Sequence, residues 1–169
     1  MDLGHGTGKV VLSAALIHPF EQSCGIELLQ SLYDVSSDVK QIYESYLAQI
    51  PASEYQEKHG WAKERAPTYL VDQGDILEED WSDCDLIFCA SLLFGAAFMK
   101  LIYEKSLKCK KGSWFITLGF RLPDSHLDCE EYPADPDMQW QVMTGLRLPM
   151  SWGKCAVWVH RKNKDPVTV

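Results

Sequence analysis

Three features of the 169-residue chain predict an α/β fold built on a three-layer, mostly parallel sheet. Strand-like apolar runs alternate with helix-period segments over residues 9–120, the pattern of parallel strands joined by crossover helices. A glycine turn, Gly4, Gly6 and Gly8, opens the first helical segment. Two strand patterns close the chain with only SWGK between them, a gap that implies antiparallel pairing.

KVVLSAALI (9–17) is rich in Ala and Leu and reads as a short helix. SCGIE (23–27) is a short apolar run ending in an acid and suits a buried strand. Leu28, Leu32, Val35, Val39, Ile42, Tyr46 and Ile50 recur at steps of four and three. This predicts an amphipathic helix with those residues on its apolar face, ended by Pro51. Residues 51–67 are polar and without a clear period, and read as a surface insertion or irregular helix.

YLVDQGDI (69–76) is a third strand-like element and DLIFCA (85–90) a more apolar one. GAAFMKLIYEKSL (95–107) is helical, Gly112 breaks it, and SWFITLGF (113–120) is a strand with β-branched and aromatic residues. Residues 121–137 are acidic and contain proline, as expected of a loop. QVMTGLRLPM (141–150) and CAVWVHR (155–161) form the terminal hairpin. Trp152, in its turn, reads as a core aromatic, with a channel wall as the alternative.

The length suits one domain, 1–169, and six Trp, seven Tyr and six Phe supply large apolar groups for a core. A net charge of -8 disfavours tight nonspecific binding to nucleic acid and favours a basic protein partner or a cationic ligand. No apolar run approaches the roughly 20 residues that cross a bilayer, so an intracellular protein, cytoplasmic or nuclear, is expected. Oligomeric state is not legible. The six cysteines (Cys24, Cys84, Cys89, Cys109, Cys129, Cys155) form no CxxC pair or metal-ligand spacing and read as reduced, mostly buried thiols. Lys105, Lys108, Lys110 and Lys111 end a helix, where cations complement its dipole.

The glycine turn is the main chemical signal. Its backbone can approach a ligand closely, and the amides of Gly6, Thr7 and Gly8 are expected to face outward at a helix N-terminus. A phosphate-binding P-loop fails, because Leu3 stands where its first glycine belongs and Val10 where its Ser/Thr belongs. A dinucleotide fingerprint fits weakly, because Lys9 stands where the third glycine belongs. The pattern acid-x-Gly-x-Gly-x-Gly, the S-adenosylmethionine turn of Rossmann-like methyltransferases, is matched at every fixed position by Asp2 to Gly8.

In that reading Asp2 meets the ligand's amino group directly or through water. Glu27 accepts from the ribose hydroxyls, Asp75 from the adenine amino group, and Ile76 packs on the ring. The plainer alternatives are a cap for Asp2, a helix N-terminal acid for Glu27 and a turn acid for Asp75. His5 reads as a tolerated loop residue.

With DLGHGTGK, GIELLQSLY, GDILEEDWSDCDLIF, FITLGFRLP and MSWGKCAVWVHRK in view, nearly the whole chain resembles the non-SET protein lysine methyltransferases of the disruptor-of-telomeric-silencing type, especially their short protist relatives. The resemblance implies the seven-stranded, Rossmann-like class I methyltransferase sheet and the cofactor S-adenosylmethionine. It also implies transfer of a methyl group to a protein lysine, with a histone among the candidate acceptors. Cofactor contacts fall on Asp2, Gly4, Gly6, Thr7, Gly8, Glu27, Asp75, Ile76 and Cys89. The family's acceptor segment, an Asn followed by polar and aromatic residues after the fourth strand, corresponds to Cys89-Ala90-Ser91-Leu92-Leu93-Phe94.

Phe94 fits that segment and Ser91 supplies a hydroxyl, so both are candidate catalytic residues. Ala90 replaces the Asn. A pseudoenzyme that keeps the cofactor site, and a small-molecule methyltransferase, are the alternative functions. Only Met1 precedes the turn, so the first strand is expected to be truncated and the chain to lack its N-terminal strand and a cofactor-closing segment.

Overall fold

Two residues, Asp2–Leu3, form strand β1 before the glycine turn redirects the backbone into helix α1, Lys9–Ile17. The computed structural model describes residues 1–51, 54, 57, 68–123, 125–127 and 138–166. They belong to two compact units, Met1–Glu78 and Glu79–Val169. Most of the predicted insertion (51–67) and of the predicted loop (121–137), with Cys129, lies outside the described residues.

In the first unit β2 (Gln22–Glu27) and β3 (Thr68–Gln73) join β1 in the order β3-β2-β1, all parallel. Glycine at position 25 is a matter of space: a Cβ there would lie 2.7 Å from the Cβ of His5 and 2.8 Å from Val11 Cγ2. Helix α2, Gln30–Gln49, links β2 to the segment before β3. The core joins Val11, Ala15, Tyr43, Tyr69 and Val71, with Tyr33, Val39 and Leu47 packed against it. Burial of each valine here contributes about 1.5–3 kcal/mol before entropy is counted.

The inward face of α2 matches its aliphatic spacing only in part, with Val39 packed on the core and Ile50 buried. Leu28, Val35 and Ile42 are exposed, whereas Ser36 and Tyr43 are buried. The tyrosines explain the rotation, since Tyr33 and Tyr43 bury more apolar surface than a valine or isoleucine. Ser36 adds a second reason. It is fully buried, and its Cβ lies 3.1 Å from where a side chain on Gly8 would begin, so a small residue lets α2 close on the glycine turn.

In the second unit the strand order is β4-β5-β8-β7-β6. β4 (Leu86–Cys89) and β5 (Trp114–Leu118) are parallel, with helix α3, Ala96–Ser106, between them. β8 (Gly153–Lys162) runs antiparallel to both β5 and β7 (Trp140–Met150), and β6 (His126–Leu127) is parallel to β7. The mostly parallel α/β pattern with a C-terminal antiparallel hairpin is therefore present. Within the hairpin Met150 pairs with Gly153, so the turn is the two residues Ser151 and Trp152 rather than all of SWGK. That turn leaves Trp152 66% exposed at its tip, which corrects its reading as a core aromatic.

Trp81, Phe115 and Trp140 pack edge to face, and Trp140 Nε1 donates to Ser106 Oγ at 2.9 Å. Lys162 is buried beside them. Its Nζ donates to Gln139 Oε1 and sits 5.8 Å from the Trp140 ring centre, and burial lowers its pKa. Of the four-lysine cluster, Lys105 lies over Trp81, and Lys110 pairs with Asp85 at 2.8 Å and Asp83 at 3.4 Å.

His160 ties β8 to both sides of this core. Its Nδ1–H donates to the Phe115 carbonyl at 2.9 Å, and Nε2 accepts from the Leu122 amide at 3.1 Å. Burial pushes its pKa down to about 4 from an ordinary 6.5. The unfolded chain therefore binds the extra proton over that interval, and the contribution of His160 to stability falls as pH drops from 6.5 towards 4. Measured against His160→Gln at each pH, the wild-type urea midpoint should decline over that window. An unchanged slope in the variant would assign the acid sensitivity to another group.

Candidate functional site

The glycine turn in the first unit is built around left-handed backbone, with φ of 77° at Gly4, 57° at Gly6 and 77° at Gly8. At Gly8 a side chain would also collide with the Tyr69 hydroxyl, which donates to the Gly8 carbonyl at 3.4 Å. At Gly6 a Cβ would meet nothing within 4 Å, so this residue borders open space.

Glu27, at the end of β2, holds the turn. Oε2 accepts from the Gly6 amide at 2.8 Å and Oε1 from the Leu29 amide at 2.9 Å, and the residue is buried. One carboxylate thus fixes both the glycine turn and the entry to α2. Each oxygen keeps a lone pair for a further donor, because a carboxylate offers about four acceptor positions. The Glu27 carbonyl also accepts from the Gly74 amide at 3.0 Å, which draws the loop of Asp75 and Ile76 towards the turn. Asp75 Oδ1 accepts from the Leu77 amide at 2.8 Å, and Ile76 is buried.

The expectation of three outward amides needs correction. The Gly6 amide is given to Glu27, and the Gly8 amide donates to the His5 carbonyl at 2.9 Å. Only the Thr7 amide of the three has no partner among the described residues. The reason is that so tight a turn satisfies its own donors, which leaves a carboxylate-rich site rather than an anion cradle.

Asp2 is 4% exposed, and its Oδ1 has no hydrogen-bond partner among the described residues. Burial pushes its carboxyl up to about 7; the charge of Glu27 adds to the rise and the amino terminus opposes it. The same burial, with the charge of Asp2, pushes the Tyr69 hydroxyl up to about 12. A buried acceptor without a donor is costly, by about 1–3 kcal/mol, and marks a place where a ligand's donor would be stabilising.

His5, expected to be a tolerated loop residue, is 5% exposed. Its Nδ1–H donates to the Gly6 carbonyl at 2.9 Å, Nε2 has no partner among the described residues, and burial lowers its pKa. The ring fills the space above Gly25. The signal available in the sequence was that glycine, since a Gly inside a strand pattern often marks a close approach.

In the second unit Cys89 is buried at the end of β4, and Ala90 is exposed ahead of a 3₁₀ turn, Ser91–Leu93. Phe94 is half-buried and packs edge to face on Phe98, ring centres 4.8 Å apart. Ser91 is fully buried, and its hydroxyl donates to the Leu118 carbonyl at 2.6 Å. The described residues contain no group of three or more His, Cys, Asp or Glu able to hold a metal ion. None of their helices is long and apolar enough to cross a membrane.

A family model described as histone methylation protein DOT1 matches residues 1–132. No curated protein matches the chain. Among solved structures, an RNA methyltransferase from Salinibacter ruber in complex with S-adenosyl-L-homocysteine is 17% identical with a TM-score of 0.58, covering 99% of this chain and 82% of that one. Magnesium protoporphyrin IX methyltransferase from Synechocystis PCC 6803, with bound SAM, is 8% identical with a TM-score of 0.62, covering 95% of this chain and 68% of that one. These likenesses show the Rossmann-like class I methyltransferase fold.

Proposed function

Because the chain belongs to the DOT1 family of histone methylation proteins, S-adenosylmethionine-dependent methyltransferases, we propose that it methylates a lysine of a basic protein, a histone foremost. The observation that carries the cofactor assignment is the orphaned, buried Oδ1 of Asp2 in a glycine turn that borders open space at Gly6. A ligand with an ammonium group beside a compact chain answers both features. Asp2 would hold that ammonium, the free lone pairs of Glu27 the two ribose hydroxyls, and Asp75 with Ile76 the adenine. Gly4, Gly6, Thr7 and Gly8 leave room for the ligand.

S-adenosylmethionine supplies an activated methyl group on its sulfonium. The acceptor nitrogen's lone pair forms the new carbon–nitrogen bond as the carbon–sulfur bond breaks. S-adenosylhomocysteine leaves, and the methylated nitrogen gives its proton to water. What the chain must do is orient the acceptor, exclude water and accept the amine in its neutral form. Phe94, half-buried on Phe98, is suited to wall a lysine's methylene chain. A histone acceptor implies action in the nucleus.

Ala90 supports a second reading, a cofactor-binding module with little turnover, since the family's Asn is missing there. Calorimetry with S-adenosylmethionine and S-adenosylhomocysteine should show binding of both; binding of neither would sink the cofactor assignment. Methyl transfer to core histones then separates enzyme from module. Ala90 is exposed, so an Asn fits without repacking, and Ala90→Asn should raise the rate. An unchanged rate would mean that this position is not the defect.

A further inference from the structure

Strand β7 is paired fully on one side only. β8 runs beside it from Trp140 to Met150, apart from a bulge at Met143, whereas on the outer side β6 reaches only Gln141 and Val142. Residues 144–150 are therefore an open edge among the described residues. The register decides which backbone groups that edge presents, because antiparallel pairs alternate between bonded and non-bonded. The Ala156 carbonyl turns away from β7 to accept the Gly119 amide at 2.7 Å, so its partner Arg147 stands in a non-bonded pair. By the same alternation Gly145, Arg147 and Pro149 direct their backbone outward. The edge thus offers the N–H groups of Gly145 and Arg147 and the carbonyls of all three. Pro149 has no donor to lose there, which is where an edge strand tolerates proline.

The side chains along this edge sort by face. Leu146 and Leu148, 46% and 41% exposed, pair with Val157 and Cys155 of the buried cluster that includes Leu118. An apolar surface accordingly runs from that core to the edge. On the opposite face Arg147 is exposed, as is Lys154, the partner of Pro149. Neither makes an ion pair among the described residues. The local charge is the reverse of the chain's: residues 138–164 contain Arg147, Lys154, Arg161, Lys162 and Lys164 and no Asp or Glu, within a net charge of -8. An open edge is a template for a further strand. A second copy is disfavoured as that strand, because a two-fold axis through the edge keeps like faces together and sets Arg147 and Lys154 of both copies against one another. An acidic strand meets attraction instead.

We propose that β7 is a docking edge for an acidic, extended segment of a partner protein. The segment adds to the sheet as a strand, its carboxylates facing Arg147 and Lys154 and its alternate apolar residues facing Leu146 and Leu148. The outward groups of residues 145–149 supply the hydrogen bonds, the leucine face supplies burial, and the two cations select the partner. The site is independent of methyl transfer, whose proposed acceptor is basic.

The probes are two fluorescein-labelled octapeptides, one alternating glutamate with valine and one alternating lysine with valine, titrated against the full chain by fluorescence polarisation. The glutamate peptide should bind about tenfold more tightly or better, and exchange of the Gly145 and Arg147 amide hydrogens should slow in its presence. Arg147→Glu should reverse the preference. Arg147→Pro removes the outward amide without breaking a bond to β8, so it should abolish binding of the glutamate peptide while circular dichroism shows the chain still folded. Equal affinity for the two peptides, no binding of the glutamate peptide at millimolar concentration, or binding that Arg147→Glu leaves unchanged would each overturn the proposal. A dimer in sedimentation that Arg147→Pro dissociates would overturn it in favour of a second copy.

Discussion

Glu27→Ala should weaken S-adenosylmethionine binding by about 100-fold. Two hydrogen bonds from ribose hydroxyls to a charged acceptor contribute about 1.5–3 kcal/mol each, and the low end of that total, about 3 kcal/mol, already corresponds to a factor of about 100. The loss has a second component, because the carboxylate also holds the Gly6 and Leu29 amides at 2.8 and 2.9 Å. Without it the glycine turn loses its link to β2 and the start of α2 loses its acceptor. Unfolding free energy should therefore fall by about 1–3 kcal/mol for each amide left unsatisfied. Glu27→Gln separates the two effects. Its single carbonyl oxygen can serve one of the two amides, so stability should recover in part while affinity stays low. Calorimetry and urea denaturation measure the pair, and wild-type affinity in Glu27→Ala would remove Glu27 from the cofactor site.

Glu27 could be singled out from local information, a turn of fixed spacing and then an acid ending an apolar run, whereas its bond to the Gly6 amide could not. The strands are legible in the same way: the run 23–27 covers all but the first residue of β2, and the runs 85–90 and 113–120 contain β4 and β5. What escaped depends on partners far apart in sequence. His5 is buried because residue 25 lacks a side chain, and Ser91 is occupied because the Leu118 carbonyl lies above it. Neither relation leaves a periodic trace. Part of the face of α2 escaped for another reason: the spacing placed Val39 and Ile50 correctly, but two tyrosines and a small serine displaced Val35 and Ile42 in packing. Trp152 shows the limit of residue type as a guide, since a two-residue turn exposes a side chain that is usually buried.

Asp2 ties the pH dependence of binding to that of folding, with opposite signs. Its carboxyl is raised to about 7 from 3.8, chiefly by burial. Between those values the folded chain holds a proton that the unfolded chain releases, so the contribution of Asp2 to stability without ligand falls as pH rises from 4 to 7, opposite in sign to that of His160. At about 1.4 kcal/mol per pKa unit the decrease is on the order of 3–4 kcal/mol. Binding an ammonium reverses the preference, because the cation requires the carboxylate. Below pH 7 the site must shed a proton to bind, and affinity should rise about tenfold per pH unit between 5.5 and 6.5. It should level off above 7, below the range in which an α-amino group itself loses its proton. Asp2→Asn should bind weakly at every pH, match the wild type in stability near pH 4, and exceed it at pH 8. An affinity that stays flat from pH 5.5 to 7.5 in the wild type would show that the orphaned oxygen does not meet the cationic end of the cofactor.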